Sequence, residues 1–189
     1  MTTQTKTTKK KPATPEKLQS NPFLFEVFDL VVKQRSNAKK VEILQEYKDP
    51  SIMAVFIWNY DDSIRSAIPE GDVPFAEARD IGVVGNDTSF SDSLNKQIVS
   101  SEMIDSYGSN NRTTIRREHS KFFNFIVGGN DSLSSIRRET MFINIIQGLH
   151  PREAEIMCLV KDKKLQSKYN IPFAVVKEAF PEIQWSNRI

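Results

Sequence analysis

With 189 residues, 39% of them hydrophobic and 26% charged, the chain can bury one core with appendages. No apolar run approaches the roughly 20 residues of a membrane span, which excludes a helical membrane protein. The formal net charge of +2 hides a split, with +4 on residues 1–20 and −2 on the other 169, so the pI near 8.6 does not describe a basic folded surface.

Residues 1–20 hold only Met1, Ala13 and Leu18 as apolar side chains, too few to offset the entropy of ordering a backbone, and are expected to form a disordered basic arm. The lysines of MTTQTKTTKKKPATPEK have no apolar stretch behind them, so no secretory leader is expected. NPFLFEVFDLVVKQRS predicts a first helix with Asn21 as its cap, Pro22 at the first helical position and Asp29 paired with Lys33 one turn on. Its apolar residues cover nearly the whole circumference, which predicts a central helix or one whose second face awaits a partner. Asn37 caps a second helix to about Tyr47, and Asp49-Pro50 opens a third over 51–58. Short links predict that these three form an antiparallel cluster. Residues 61–68 are expected to add a turn or two of helix. Gly71 to Phe75 reads as a turn seating Phe75 on the core, and residues 76–112 as a flexible loop or insertion with a weak helix over 91–103.

Regular patterning resumes at Thr114. In TIRREHSKFFNFIVGG, the stripe Ile115, His119, Phe122 and Ile126 predicts a helix that Gly128-Gly129 ends. Asp131 or Ser132 caps the next, from about Leu133 to Leu149, with Ile136, Ile143 and Ile146 on one stripe and Phe142, Ile145 and Leu149 adjoining, and the two make a helical hairpin. Pro151 starts PREAEIMCLVKDKK, whose acidic start and lysine-rich end match the helix dipole. Phe173, Val176 and Phe180 mark a last short helix ending at Pro181, after which Ile183 and Trp185 fold back as a clasp. With no sustained period-two alternation, the fold class is all-α: one compact multi-helix domain over 21–185, with the N-terminal arm, one long irregular loop and a tail at 186–189.

The most distinctive motif is a repeat, Ile115-Arg116-Arg117-Glu118 and Ile136-Arg137-Arg138-Glu139. Arginines near helix starts oppose the dipole and need another reason to be there. Forks on phosphate or carboxylate are one reading, and surface charge or bridges across the hairpin the other. In such a hairpin the two pairs fall about 20 Å apart, too far for one pocket, though both could contact a nucleic-acid backbone. Lys9, Lys10 and Lys11 on a mobile arm would add salt-dependent affinity for the same ligand, or simply keep a terminus soluble. The 12 phenylalanines fall mostly at core spacing, so no stacking platform for single strands stands out.

Chemistry-bearing clusters are lacking. His119 lies on an apolar stripe and reads as a core histidine, while His150, before Pro151, reads as a capping or loop residue. Neither has ligand spacing to Cys158, so no metal or cofactor is expected. Cys158 itself reads as a small buried hydrophobe of a protein from a reducing compartment. Asp61-Asp62 and Glu153/Glu155 read as solvated surface charge with no partner for acid/base work. Gly128-Gly129-Asn130 lacks the strand and spacing of a phosphate loop and reads as a turn.

FDLVVKQRSNAKKVEIL (28–44), IPEGDVPF (68–75), RREHSKFFNFIVGGNDSLSSIRRETMFINIIQGLHPREAEIMCLVKDKKL (116–165) and EAFPEIQW (178–185) together resemble a family of small uncharacterised proteins. These are encoded by large contractile-tailed, myovirus-type bacteriophages, including cyanophages. The resemblance covers most of residues 22–185 and implies a phage origin and action in the host cytoplasm or as part of the virion, without implying an activity. The expectation is a non-enzymatic accessory protein of replication, transcription or assembly that binds a phage or host protein, docking through Phe180, Ile183 and Trp185. The alternative is a nucleic-acid binder using Lys9, Lys10, Lys11, Arg116, Arg117, Arg137 and Arg138.

Overall fold

Helix α1 spans Leu24–Val32, and its first backbone N–H groups are served from two directions. Phe23, at the N-cap, donates its N–H to Glu26 Oε2 at 2.7 Å, while Leu24 N–H reaches Glu153 Oε1 at 3.1 Å. The computed structural model describes residues 18–71, 73 and 113–186. The helix therefore starts two residues later than the Asn21-Pro22 pattern predicts, because Glu26 and Glu153 do the capping. Leu24, Phe25, Val27, Phe28, Leu30 and Val31 are all buried, so α1 is a central helix with no second apolar face left for a partner. Asp29 pairs not with Lys33 but with Arg152, at 2.8 Å.

Helix α2 (Asn37–Glu46) packs against α1 and buries Val41, Ile43 and Leu44. Asp49 caps α3 (Pro50–Tyr60), accepting the Ser51 N–H at 2.8 Å, with Pro50 in the first turn as the sequence indicates. The first three helices do not form a closed cluster, however. α3 packs on residues 115–125 and on a later helix, α6 (Pro151–Lys161), and α2 packs on the last one, α8 (Phe173–Ala179), as well as on α1. Phe28 and Phe56, with ring centroids 5.4 Å apart, join α1 to α3. Past Tyr60 the expected extra turns of helix are absent. The chain extends instead, and Ser66 bridges Ile126 through Ala67 N–H to Phe125 O (2.7 Å) and Val127 N–H to Arg65 O (2.9 Å). The seat expected for Phe75, the loop over 76–112 and its weak helix lie outside the described residues.

The single helix expected from Thr114 is instead a short α4 (Ile115–Glu118) running into a 3-10 helix, His119–Phe125. A three-residue repeat puts Phe122 and Phe125 on one inward line against Trp58, with centroids at 5.4 and 6.2 Å, and turns Phe123 outward. Gly128 takes φ +79°, and a Cβ on Gly129 would lie 1.9 Å from Phe123 O, so this tight return needs its glycines. Helix α5 (Ser135–Gly148) is capped by Ser134, not Asp131 or Ser132. Its buried face is Phe142, Ile145, Ile146 and Leu149, and Ile136 points away from the core.

His150 caps α6 through Nδ1, which accepts the Arg152 N–H at 3.2 Å. A short turn, α7 (Leu165–Lys168), leads to α8. The clasp forms as expected: Phe180 and Trp185 are buried, and Trp185 meets Phe173 edge-on at 5.0 Å. Both ends of the body reach beyond the expected 21–185, to Leu18 and Ser186. Leu18 N–H already donates to Tyr47 Oη (3.0 Å), and Ser186 is held by Asp61. Among the described residues there is no β-strand, and the fold is all-α.

Candidate interaction face

The two Ile-Arg-Arg-Glu copies have opposite fates. In the first, Ile115 is fully buried and its N–H donates to Glu153 Oε2 at 2.9 Å. Arg116 spans two helix starts, donating from Nε to Pro22 O (2.9 Å) and pairing through Nη1 with Asp49 (2.7 Å). Burial works against the Asp49 charge, but the Ser51 hydrogen bonds and the Arg116 guanidinium outweigh it and hold the carboxyl below its ordinary range. Arg117 is exposed, and Glu118 is taken up by Thr113 and Lys121. His119 is half-buried against the Arg116 carbonyl, 2.8 Å from Nδ1.

In the second copy the inner arginine is Arg138. It ties the end of the 3-10 helix to the start of α5, donating to the carbonyls of Asn124 (2.8 Å), Asn130 (2.8 Å) and Leu133 (3.1 Å). Arg137 is exposed, and Ile136 beside it is 77% exposed. Of the four candidate arginines, then, Arg116 and Arg138 are consumed by the fold. Arg117 and Arg137 face solvent and make no side-chain hydrogen bond or ion pair with the described residues.

Phe123 (49% exposed) and Val127 (56%) join Ile136 in the segment 123–136 that Arg138 knits together. The remaining exposed large hydrophobic residue described is Val32, at the far end of α1. Exposed apolar residues with Arg137 next to Ile136 in the chain have the composition of a protein contact, since aromatic side chains and arginine are enriched where interfaces bury most. Sequence reasoning missed Phe123 and Val127 because a helical stripe was assumed. The available signal was the spacing of His119, Phe122 and Phe125, three residues apart and followed by Gly-Gly.

The C-terminal residues sit differently. Phe180 and Trp185 belong to the core, which overturns the expectation that they stand free for docking. Ile183 is half-buried and lines an open groove of about 420 Å³ with Met53, Ala54 and Ile57 of α3. Lys9, Lys10 and Lys11 lie outside the described residues.

Two carboxylates read as solvated are buried. Glu153 has no exposed surface, and its oxygens serve the first N–H groups of α1 and α4. Burial pushes its carboxyl above the ordinary value, against the pull of those two N–H groups and of Arg116. Asp61, 5% exposed, collects Ser63 N–H (2.9 Å), Ser63 Oγ (2.7 Å), Ser186 N–H (3.0 Å) and Ser186 Oγ. Its burial would raise the pKa, yet those bonds bring it down to about 2. Lys161, placed by the sequence at the lysine-rich end of α6, is buried too. It donates to Pro69 O (3.0 Å), Gly71 O (2.7 Å) and Asp162 (2.6 Å). Cys158 is half-buried rather than buried.

His150 stacks on Phe25 (4.6 Å) and lies 5.4 Å from Phe23, while the Arg152 guanidinium covers Phe25 at 4.5 Å and binds Asp29. These groups join α6 to α1. Among the described residues no group of three or more His, Cys, Asp or Glu side chains is placed to hold a metal ion, and no helix is long and apolar enough to cross a membrane.

Fold and site thus define an all-α protein whose buried polar groups tie helix ends together and which, among the described residues, leaves Phe123, Val127, Ile136, Arg117 and Arg137 exposed. The chain belongs to DUF6433, a family of unknown function, matching its family model over residues 27–97 and 76–167. No curated protein and no solved structure matches it.

Proposed function

We propose that this is a non-enzymatic bacteriophage accessory protein that acts by binding another protein of the phage or host through residues 123–136. The phage assignment rests on the resemblance of residues 22–185 described above. The binding assignment rests on one observation: Phe123, Val127 and Ile136 are exposed on a segment whose backbone is rigidly tied by Arg138. Arg117 and Arg137 nearby favour a partner that offers apolar side chains ringed by carboxylates, because unpaired guanidinium groups select carboxylate forks. A photo-crosslinking side chain at position 136 should capture that partner in infected cells, whereas one at exposed Lys177 on α8 should not. Equal capture from both positions would remove this face from the account.

A second reading is favoured by the exposure of the outer arginines. Nucleic acid would be bound by Lys9, Lys10 and Lys11 with Arg117 and Arg137, without Arg116 and Arg138. Its test is a DNA titration over a salt series. Affinity that falls with salt and drops when the three lysines are removed supports it, and affinity absent at low salt rejects it.

A further inference from the structure

We propose that residues 181–186 form a releasable strap, latched at Asp61, that opens as a unit while α8 stays folded. Asp61 is the C-cap of α3, and three other segments converge on it. Its carboxylate accepts from Ser63 and from both the N–H and Oγ of Ser186, and its carbonyl accepts Lys163 Nζ at 2.6 Å. The strap is also tied to the body by the exposed Glu182–Lys48 pair, 2.6 Å, a contact that contributes little in water. The strap is therefore held by the packing of Trp185 and, among its polar ties, chiefly at Asp61.

One feature sets closure against a cost. Trp185 is 5% exposed, yet its indole N–H has no acceptor among the described residues, and a buried donor left unpaired costs free energy that opening recovers. Opening would swing Trp185 off Phe173 and lift Ile183 from Met53 and Ile57, baring an apolar surface continuous with the groove. Ile183 and Trp185, which the sequence marks for docking, would then become accessible only on release. The proposal stands apart from the 123–136 face and needs no partner for its test.

That test is residue-resolved hydrogen exchange on the full chain. In Asp61→Asn an amide nitrogen replaces one latch oxygen, and Ser186→Ala removes the hydroxyl donor. In both variants the Ile183 and Ser186 amides should exchange roughly tenfold faster, the effect of losing about one hydrogen bond to a charged group, with Val176 to Phe180 unchanged. Unchanged strap exchange in Ser186→Ala, or acceleration spread through α3 and α8 in whichever variant folds, would overturn the proposal.

Discussion

Glu153 occupies the third position of α6 but serves other helices. With no exposed surface, it gives one oxygen to Leu24 N–H and one to Ile115 N–H, so the starts of α1, α4 and α6 meet at one carboxylate. Glu153→Gln keeps the shape but leaves only one acceptor, so one N–H faces an amide nitrogen. We expect a loss of about 1–3 kcal/mol in urea unfolding. The pH dependence follows from two opposed shifts. Glu153 is raised above its ordinary 4.5, so its contribution is full below that value and is lost as pH rises through the raised one. Asp61 is lowered from 3.8 to about 2, so its contribution is present above 3.8 and is lost as pH falls toward 2. Glu153→Gln should flatten only the decline that accompanies rising pH above 4.5. A decline that survives in the variant would show that Glu153 is not its source.

At the level of elements, the segment from Ile115 to Gly148 separates structural from free residues within one motif. Arg138→Ala would strip three carbonyls of a charged donor and should cost about 1.5–3 kcal/mol, whereas Arg137→Ala should stay within about 0.5 kcal/mol. Gly129→Ala would drive a Cβ into Phe123 O and should cost about 1–3 kcal/mol, read as a lower thermal midpoint. Identical tetrapeptides cannot reveal this division, because it depends on which backbone carbonyls the tertiary fold brings within reach. What local chemistry decides was legible: Asp49 and His150 cap their helices, Pro50 and Pro151 sit in first turns, and the last helix stops before Pro181. What depends on several segments meeting was not. Glu153 looked like a dipole partner in water, and the 3-10 turn of residues 119–125 was hidden because Ile115, His119, Phe122 and Ile126 also fit an α-helical stripe. Ile136 fitted such a stripe as well, but the buried face of α5 begins at Phe142 and lies to one side of it.

Taken whole, the molecule concentrates its buried polar groups at helix ends. Glu153 and Arg116 gather α1, α3, α4 and α6, Asp61 gathers α3, the end of α6 and the C-terminal strap, and Lys161 fastens the turn at residues 69–71 to α6. Lys40 reaches Asn170 O (2.7 Å), joining α2 to the link before α8. Such ties fix the body, which leaves the 123–136 face as a surface held in place rather than one that forms on contact, and a preorganised surface spends less of its binding energy on ordering. The most direct measurement compares co-purification from infected cells, after nuclease treatment, for the unaltered chain and for Phe123→Asp/Ile136→Asp. The account predicts that the double variant keeps its circular dichroism and thermal midpoint and loses the protein partner. Recovery of the same partner in equal yield by both forms would contradict it.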